Sequence, residues 1–315
     1  MAMQFAVNYS LLAADLLCEG QIQLDLFKCP AWPDLIASIQ EVYPVYVHFP
    51  LRVGAGINNA IDTETGQPAD WRKVETLLAQ TNTPFVNVHL APSTGDYPDI
   101  PADTTEPEHI KVLTERMVQD VRAVVKQFGA ERVIVENDHA SRERLLRPAH
   151  LPEIICRVIE ESGCGFLFDL SHARLAAHDL NMGIREYING LPTEHVCEIH
   201  VTGIQRIEGH WMNVARQVGI DTDTIQAFAG QLMDHLPMMS EDWEFVAWAM
   251  RQVHSGVWGH PWAVTFEVGG VSGLYEAVAD RDVLATQIPH LYALVKGELK
   301  DAAELDPVRP RHEVL

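Results

Sequence analysis

The segment Gly165-Phe166-Leu167-Phe168-Asp169-Leu170-Ser171-His172 joins an apolar run to a carboxylate and, three positions on, an imidazole. An ionised Asp behind three large hydrophobes is costly to bury unless something positive meets it, and a metal ion would meet it. The construction recurs in Val45-Tyr46-Val47-His48, Phe85-Val86-Asn87-Val88-His89, Val133-Ile134-Val135-Glu136-Asn137, Val196-Cys197-Glu198-Ile199-His200 and Ala263-Val264-Thr265-Phe266-Glu267. Taken singly, a His at the end of such a run is more often a hydrogen-bonded structural residue than a ligand. Taken together, His48, His89, Glu136, Asp169, His200 and Glu267 share one register, and a common site is a simpler reading than separate accidents.

Three carboxylates converging without compensation would repel one another and take up protons. A divalent metal removes that conflict, with the imidazoles bound neutral. Mixed His and carboxylate ligands without thiolate suit iron, manganese or zinc. So many ligands exceed the need of a single catalytic ion with an open position, so more than one ion is expected. Glu136 and Glu267 are the candidates to bridge ions or to move a proton. His172 can turn back toward the site as the chain enters a helix, and Asn137 can orient an imidazole from behind. Asn8 and Asp25 read more simply as structural. Lys28 is the lysine placed to reach the site, and Arg52 is either a contact for a substrate carboxylate or a solvent-facing loop residue. Trp243, Trp248, Trp258 and Trp262 are core aromatics before they are a pocket wall.

Residues in this register need parallel strands whose carboxyl ends meet. Strands are expected at 4–9, 22–27, 45–49, 84–89, 132–136, 165–169, 195–200 and 262–267, separated by helical patterns. The clearest helix carries Ile110, Leu113, Met117, Val121, Val124 and Val125 on one face and stops at Gly129. A helical stretch is expected to run on from 170 through Tyr187, and a single helix over 274–296 to close the ring. Alternation of this kind predicts an α/β protein, a (β/α)8 TIM barrel with its chemistry at the carboxyl ends of the strands. One domain over 1–300 and a loose polar tail over 301–315 are expected, with long loops at 50–68 and 202–239.

A chain of 315 residues fits one such barrel, and 47% hydrophobic with 21% charged residues is the composition of an ordinary globule. No apolar run approaches the roughly 20 residues that cross a bilayer, so no membrane role is expected. The start passes into a strand pattern without a basic leader, and the five cysteines form no CxxC pair. Both point to a reducing cytoplasm. A formal charge of −21 argues against nucleic-acid tracks, which are held by Lys and Arg, while leaving room for a local basic pocket.

With these residues in this order, the chain resembles the xylose isomerase-like TIM-barrel superfamily, which includes sugar isomerases, epimerases and trizinc apurinic-site endonucleases. Val47-His48-Phe49-Pro50-Leu51, Val88-His89-Leu90-Ala91-Pro92-Ser93, Val135-Glu136-Asn137, Asp169-Leu170-Ser171-His172 and Glu198-Ile199-His200-Val201-Thr202-Gly203 look most like the multinuclear non-haem iron-dependent oxidases. That resemblance implies iron as the favoured metal and oxidation of a ribosomally made peptide or a small molecule. A peptide would come alone or on a presenting partner protein. His172 departs from the Asn common in those oxidases and is closer to the endonucleases. The resemblance also implies an Asp-x-His pair after the seventh strand. Here the choice is Asp234-His235, in the sequence Met233-Asp234-His235-Leu236-Pro237-Met238, or Glu208-Gly209-His210; the spacing from His200 suits His210, but His235 is favoured for its His-x-Pro-apolar context followed by Trp243. Two alternatives stand beside the oxidase. One is a sugar isomerase or epimerase with a single ion and Glu136 and Glu267 as acid and base. The other is a trizinc phosphoesterase, which the acidic charge disfavours if DNA is the target.

Overall fold

The computed structural model describes residues 2–139, 145–271 and 273–299. Its strands are β1 Gln4–Asn8, β2 Leu26–Pro30, β3 Val45–His48, β4 Leu51–Val53, β5 Ile61–Asp62, β6 Val86–Leu90, β7 Val133–Glu136, β8 Gly165–Asp169, β9 Val196–Val201, β10 Gly203–Arg206, β11 Leu232–Leu236 and β12 Ala263–Phe266. The βα units begin at β1, β2, β3, β6, β7, β8, β9 and β12, each followed by helix, as in a (β/α)8 TIM barrel. By compactness the chain divides into two units, and the boundaries fall inside β2, after Lys28, and inside β9, after Ile199.

The larger unit comprises Cys29–Ile199 and Trp258–His260. Its sheet runs β9–β8–β7–β6–β4–β5. The β8–β7, β7–β6 and β6–β4 pairs are parallel, and β4–β5 is antiparallel. Val133, Ile134 and Val135 on β7 and Phe166, Leu167 and Phe168 on β8 are all buried. A parallel strand covered on both faces reads as a continuous apolar run, which is why these segments do not alternate. Helix Pro107–Phe128 starts with Pro at its first turn and ends at Gly129, whose φ of 92° few other residues tolerate. Helix Leu170–Asp179 starts where Asp169 Oδ1 accepts from the amides of Ser171 and His172, so one carboxylate ends a strand and caps a helix.

The segment 50–68, expected as a loop, holds β4 and β5. Asp120 on the long helix organises it: its carboxylate accepts from the backbone amides of Gly54, Gly56 and Asn58 at 2.7–3.0 Å. The expected continuous helix through Tyr187 is two helices, Leu170–Asp179 and Ile184–Asn189, broken where Asn181 adopts a φ of 53°.

The smaller unit comprises Met1–Lys28, His200–Val257 and Pro261–Leu315. Here β1 lies between β2 and β12, parallel to both. Strand β2 begins four residues later than the alternation suggests. Asp25 instead precedes it, accepting from the Phe5 amide and the Lys296 ammonium, both at 2.6 Å, and is thereby structural. Asn8 donates to the Gly269 carbonyl. The connection 202–239, the longest expected from the sequence, is an ordered insertion of β10, helices Gly209–Gln217 and Thr222–Phe228, and β11, which pairs antiparallel with β10. Ile207, Leu236 and Val278 form its small core, with Trp211, Met212, Met233 and Leu274 packed against them. The closing helix is divided into Gly273–Ala277 and Arg281–Lys296, the second capped by Asp280. The tail 301–315 lies outside the described residues.

Candidate metal-binding residues

In the larger unit β3, β6, β7 and β8 deliver His48, His89, Glu136 and Asp169 from their carboxyl ends, and His172 follows one helical turn later. The Nε2 atoms of His48 and His89 are 3.2 Å apart and lie 3.5 and 3.3 Å from Glu136 Oε2. Asn87 holds the first imidazole, with Nδ2 3.1 Å from His48 Nε2, and spans to the next residue's backbone through the Phe49 amide and carbonyl. Glu136, Asp169 and His172 each offer a ligand atom within 4.8 Å of the others, and all three are buried.

Asp169 shows what this arrangement demands. It is fully buried, its Oδ1 accepts two amides, and its Oδ2 accepts no hydrogen bond among the described residues. That oxygen lies 3.8 Å from His172 Nε2. The His172 Nδ1 is 2.8 Å from the Asn137 carbonyl, which only accepts, so Nδ1 carries the proton and Nε2 has the lone pair. Asn137 in turn clamps Asp169 with both ends of its amide, donating to the Asp169 carbonyl and accepting from its N–H. Two buried carboxylates beside an imidazole whose lone pair is turned to them fit a divalent cation.

The smaller unit brings together a second set. His200 at the end of β9 places Nδ1 3.0 Å from Glu267 Oε1, and Lys28 on β2 forms an ion pair with the same oxygen. His235 on β11 has Nδ1 3.1 Å from the Glu267 carbonyl, so its Nε2 carries the lone pair, 3.9 Å from Asp234 Oδ2. The backbone of His235 sits at a φ of 58°, and its amide is held by the Thr202 hydroxyl at 2.8 Å. For a residue with a Cβ this conformation costs roughly 1–2 kcal/mol. Such strain is typical of residues aimed for a function.

The alternative pair is placed elsewhere: Glu208 precedes helix Gly209–Gln217, and His210 is exposed on it with its ring against Trp211. Arg52 is engaged bidentately by Asp96 at 2.6 and 2.9 Å, which ties it to the 91–97 loop. Trp258 packs on Phe168 in the core. Burial pushes the Cys29 thiol up to about 12 and that of Cys164 up to about 11, so neither offers a thiolate.

Three further residues escaped the strand-end rule. Asp138 and His139 continue the chain beyond Glu136-Asn137, and both are buried, with a ligand atom of each within 4.8 Å of His172. His150 is buried behind them, its Nδ1 3.0 Å from the Asp138 carbonyl, and burial holds it below its ordinary pKa and so neutral. The run Glu136-Asn137-Asp138-His139 was itself the signal: four polar residues in succession directly after a buried strand.

A solved structure of D-psicose 3-epimerase in the presence of D-fructose superimposes with a TM-score of 0.50 at 12% identity, covering 94% of this chain and all of that one. The likeness shows the fold alone, a (β/α)8 TIM barrel. UPF0276 proteins of Paraburkholderia phytofirmans and Rhizobium meliloti are 25% and 26% identical over 174 residues, 53% of this chain and 52% of each of theirs. The chain thus spans about half the length of the curated relatives it matches. The family described as "RiPP precursor modification enzyme MbnB/TglH/ChrH" matches residues 28–241, which include every candidate ligand except Glu267. The chain belongs to this family of RiPP precursor modification enzymes.

Proposed function

We propose that this chain is an iron-dependent oxidase acting on a ribosomally made peptide, with two or three ions held by His48, His89, Glu136, Asp169, His172, His200, Asp234, His235 and Glu267. The observation that carries the reading is the buried group Glu136–Asp169–His172 in a chain of this family. Two carboxylates and an imidazole taken out of water need a cation to be worth keeping. Iron, when bound, supplies the electron transfer to dioxygen. The residues of the chain hold and orient: Asn137 fixes Asp169 and the His172 tautomer, Thr202 and the Glu267 carbonyl fix His235, and Glu136 and Glu267 would hold ions or take a substrate proton. Lys28 forms an ion pair with Glu267.

The test is metal analysis of protein prepared without oxygen, followed by oxygen uptake with a candidate precursor peptide, alone and with its presenting partner. Iron at more than one equivalent with peptide-dependent uptake is expected. Zinc alone and no uptake would overturn the reading. The epimerase alternative requires one tight ion and ketose interconversion without oxygen, so the same experiment separates the two.

A further inference from the structure

We propose that Asp138, His139 and His172 form a site for a further ferrous ion, distinct from the ions bound by the strand-end residues; the inference rests on the metal-dependent reading of those neighbours. One carboxylate oxygen and one nitrogen from each ring lie within 4.8 Å of one another, and all three residues are buried. Two imidazoles and one carboxylate are a donor set that suits ferrous iron and leaves coordination positions open.

Adjacent residues seldom aim at one point, and here a local device makes them do so. Asp138 Oδ1 accepts from the His139 amide at 2.8 Å, folding the carboxylate back over its successor. Behind it the Asp138 carbonyl is held by His150 Nδ1 at 3.0 Å, and the His150 carbonyl accepts from the Tyr187 hydroxyl at 2.9 Å. This buried chain of hydrogen bonds fixes the backbone that carries the two ligands, as the outer contacts of a metal site do. His172 has a single lone pair to give, because its Nδ1 proton is committed to the Asn137 carbonyl. His172 also lies within 4.8 Å of Glu136 and Asp169, so an ion at Asp138 and His139 draws this imidazole from that group and leaves it the two carboxylates. His89 links the two sets: Nε2 faces Glu136 Oε2 at 3.3 Å and Nδ1 faces Asp138 Oδ2 at 3.8 Å.

The competing view of the same atoms makes Asp138 an outer carboxylate that only orients His89, and His139 a core histidine. Anaerobic titration with ferrous iron distinguishes them, counting bound ions in the wild-type chain, in His139→Gln and in Asp138→Asn, with circular dichroism to confirm folding. The expected result is a loss of about one ion per chain in both variants, with the remaining ions kept. An iron-edge anomalous map of the wild-type chain needs no variant and should place a peak at bonding distance from His139. An unchanged count in His139→Gln, or no peak beside His139, overturns the inference and leaves the proposed function standing. A wild-type chain that binds no iron at all overturns both.

Discussion

Glu136 has one oxygen near two imidazoles and a carboxyl group near a second buried acid, so its removal should do more than delete one bond. Glu136→Gln is expected to lower iron occupancy and to cut peptide-dependent oxygen uptake by at least about 100-fold, read by metal analysis and an oxygen electrode. Asn137 is not a candidate ligand and acts through Asp169 and His172. Asn137→Ala should weaken iron affinity about 10–100-fold and destabilise the fold by about 1–3 kcal/mol, since it leaves the Asp169 amide without its partner. A leucine at the same position restores volume but no hydrogen bonds, so it should rescue neither quantity. The strand-end register was legible because each of these residues closes a run of Val, Ile or Phe. The tautomer of His172 was not, because it depends on a carbonyl 35 positions away in the chain.

At the scale of elements, the segments expected as loops are the ones where side chains from afar impose order. Asp120 reaches from the helix Pro107–Phe128 to three amides of the turn after β4. Asp120→Ala should cost about 2–4 kcal/mol in chemical unfolding and expose 54–58 to early proteolysis. The turn after β6 is held by Arg52 and Asp96. Burial pushes the Asp96 carboxyl up, but hydrogen bonds from Arg52 and Ser93 and the Arg52 charge outweigh it and hold the group below its ordinary value. Its contribution is therefore complete above the ordinary carboxylate pKa and is lost as pH falls through the lowered one. Hydrogen-exchange protection factors at 91–97 should fall below about pH 4 in the wild-type chain, and Arg52→Ala should weaken that acid dependence, with the Ser93 hydrogen bonds retaining part of it. In the insertion, Gly203 begins β10 where a Cβ would come within 2.1 Å of the Pro237 carbonyl oxygen. Gly203→Ala must displace β11, which carries Asp234 and His235, and the expected result is lost iron with most helical signal retained. Nothing in the local sequence of 202–239 announced β10 and β11, whose pairing is decided by the apolar contact of Ile207, Leu236 and Val278.

For the whole molecule, burial of the candidate ligands means that a bound metal would contribute to stability. Chelation should lower the thermal midpoint while leaving the far-ultraviolet spectrum of an α/β protein, and a free-ion concentration about a thousandfold above Kd corresponds to about 4 kcal/mol of stabilisation. No helix is long and apolar enough to cross a membrane. The sequence by itself determined the α/β class, the places of most strands and the residue types at their ends, because a period-two or continuous apolar run and its terminal polar residue are properties of a short stretch. It also determined the acidic charge. Only the tertiary structure decided that β2 begins after Asp25, that His235 rather than His210 faces Glu267, and that Asp138 and His139 join His172. Each of those outcomes depends on a hydrogen bond or ion pair between residues far apart in the chain, which local patterns do not encode.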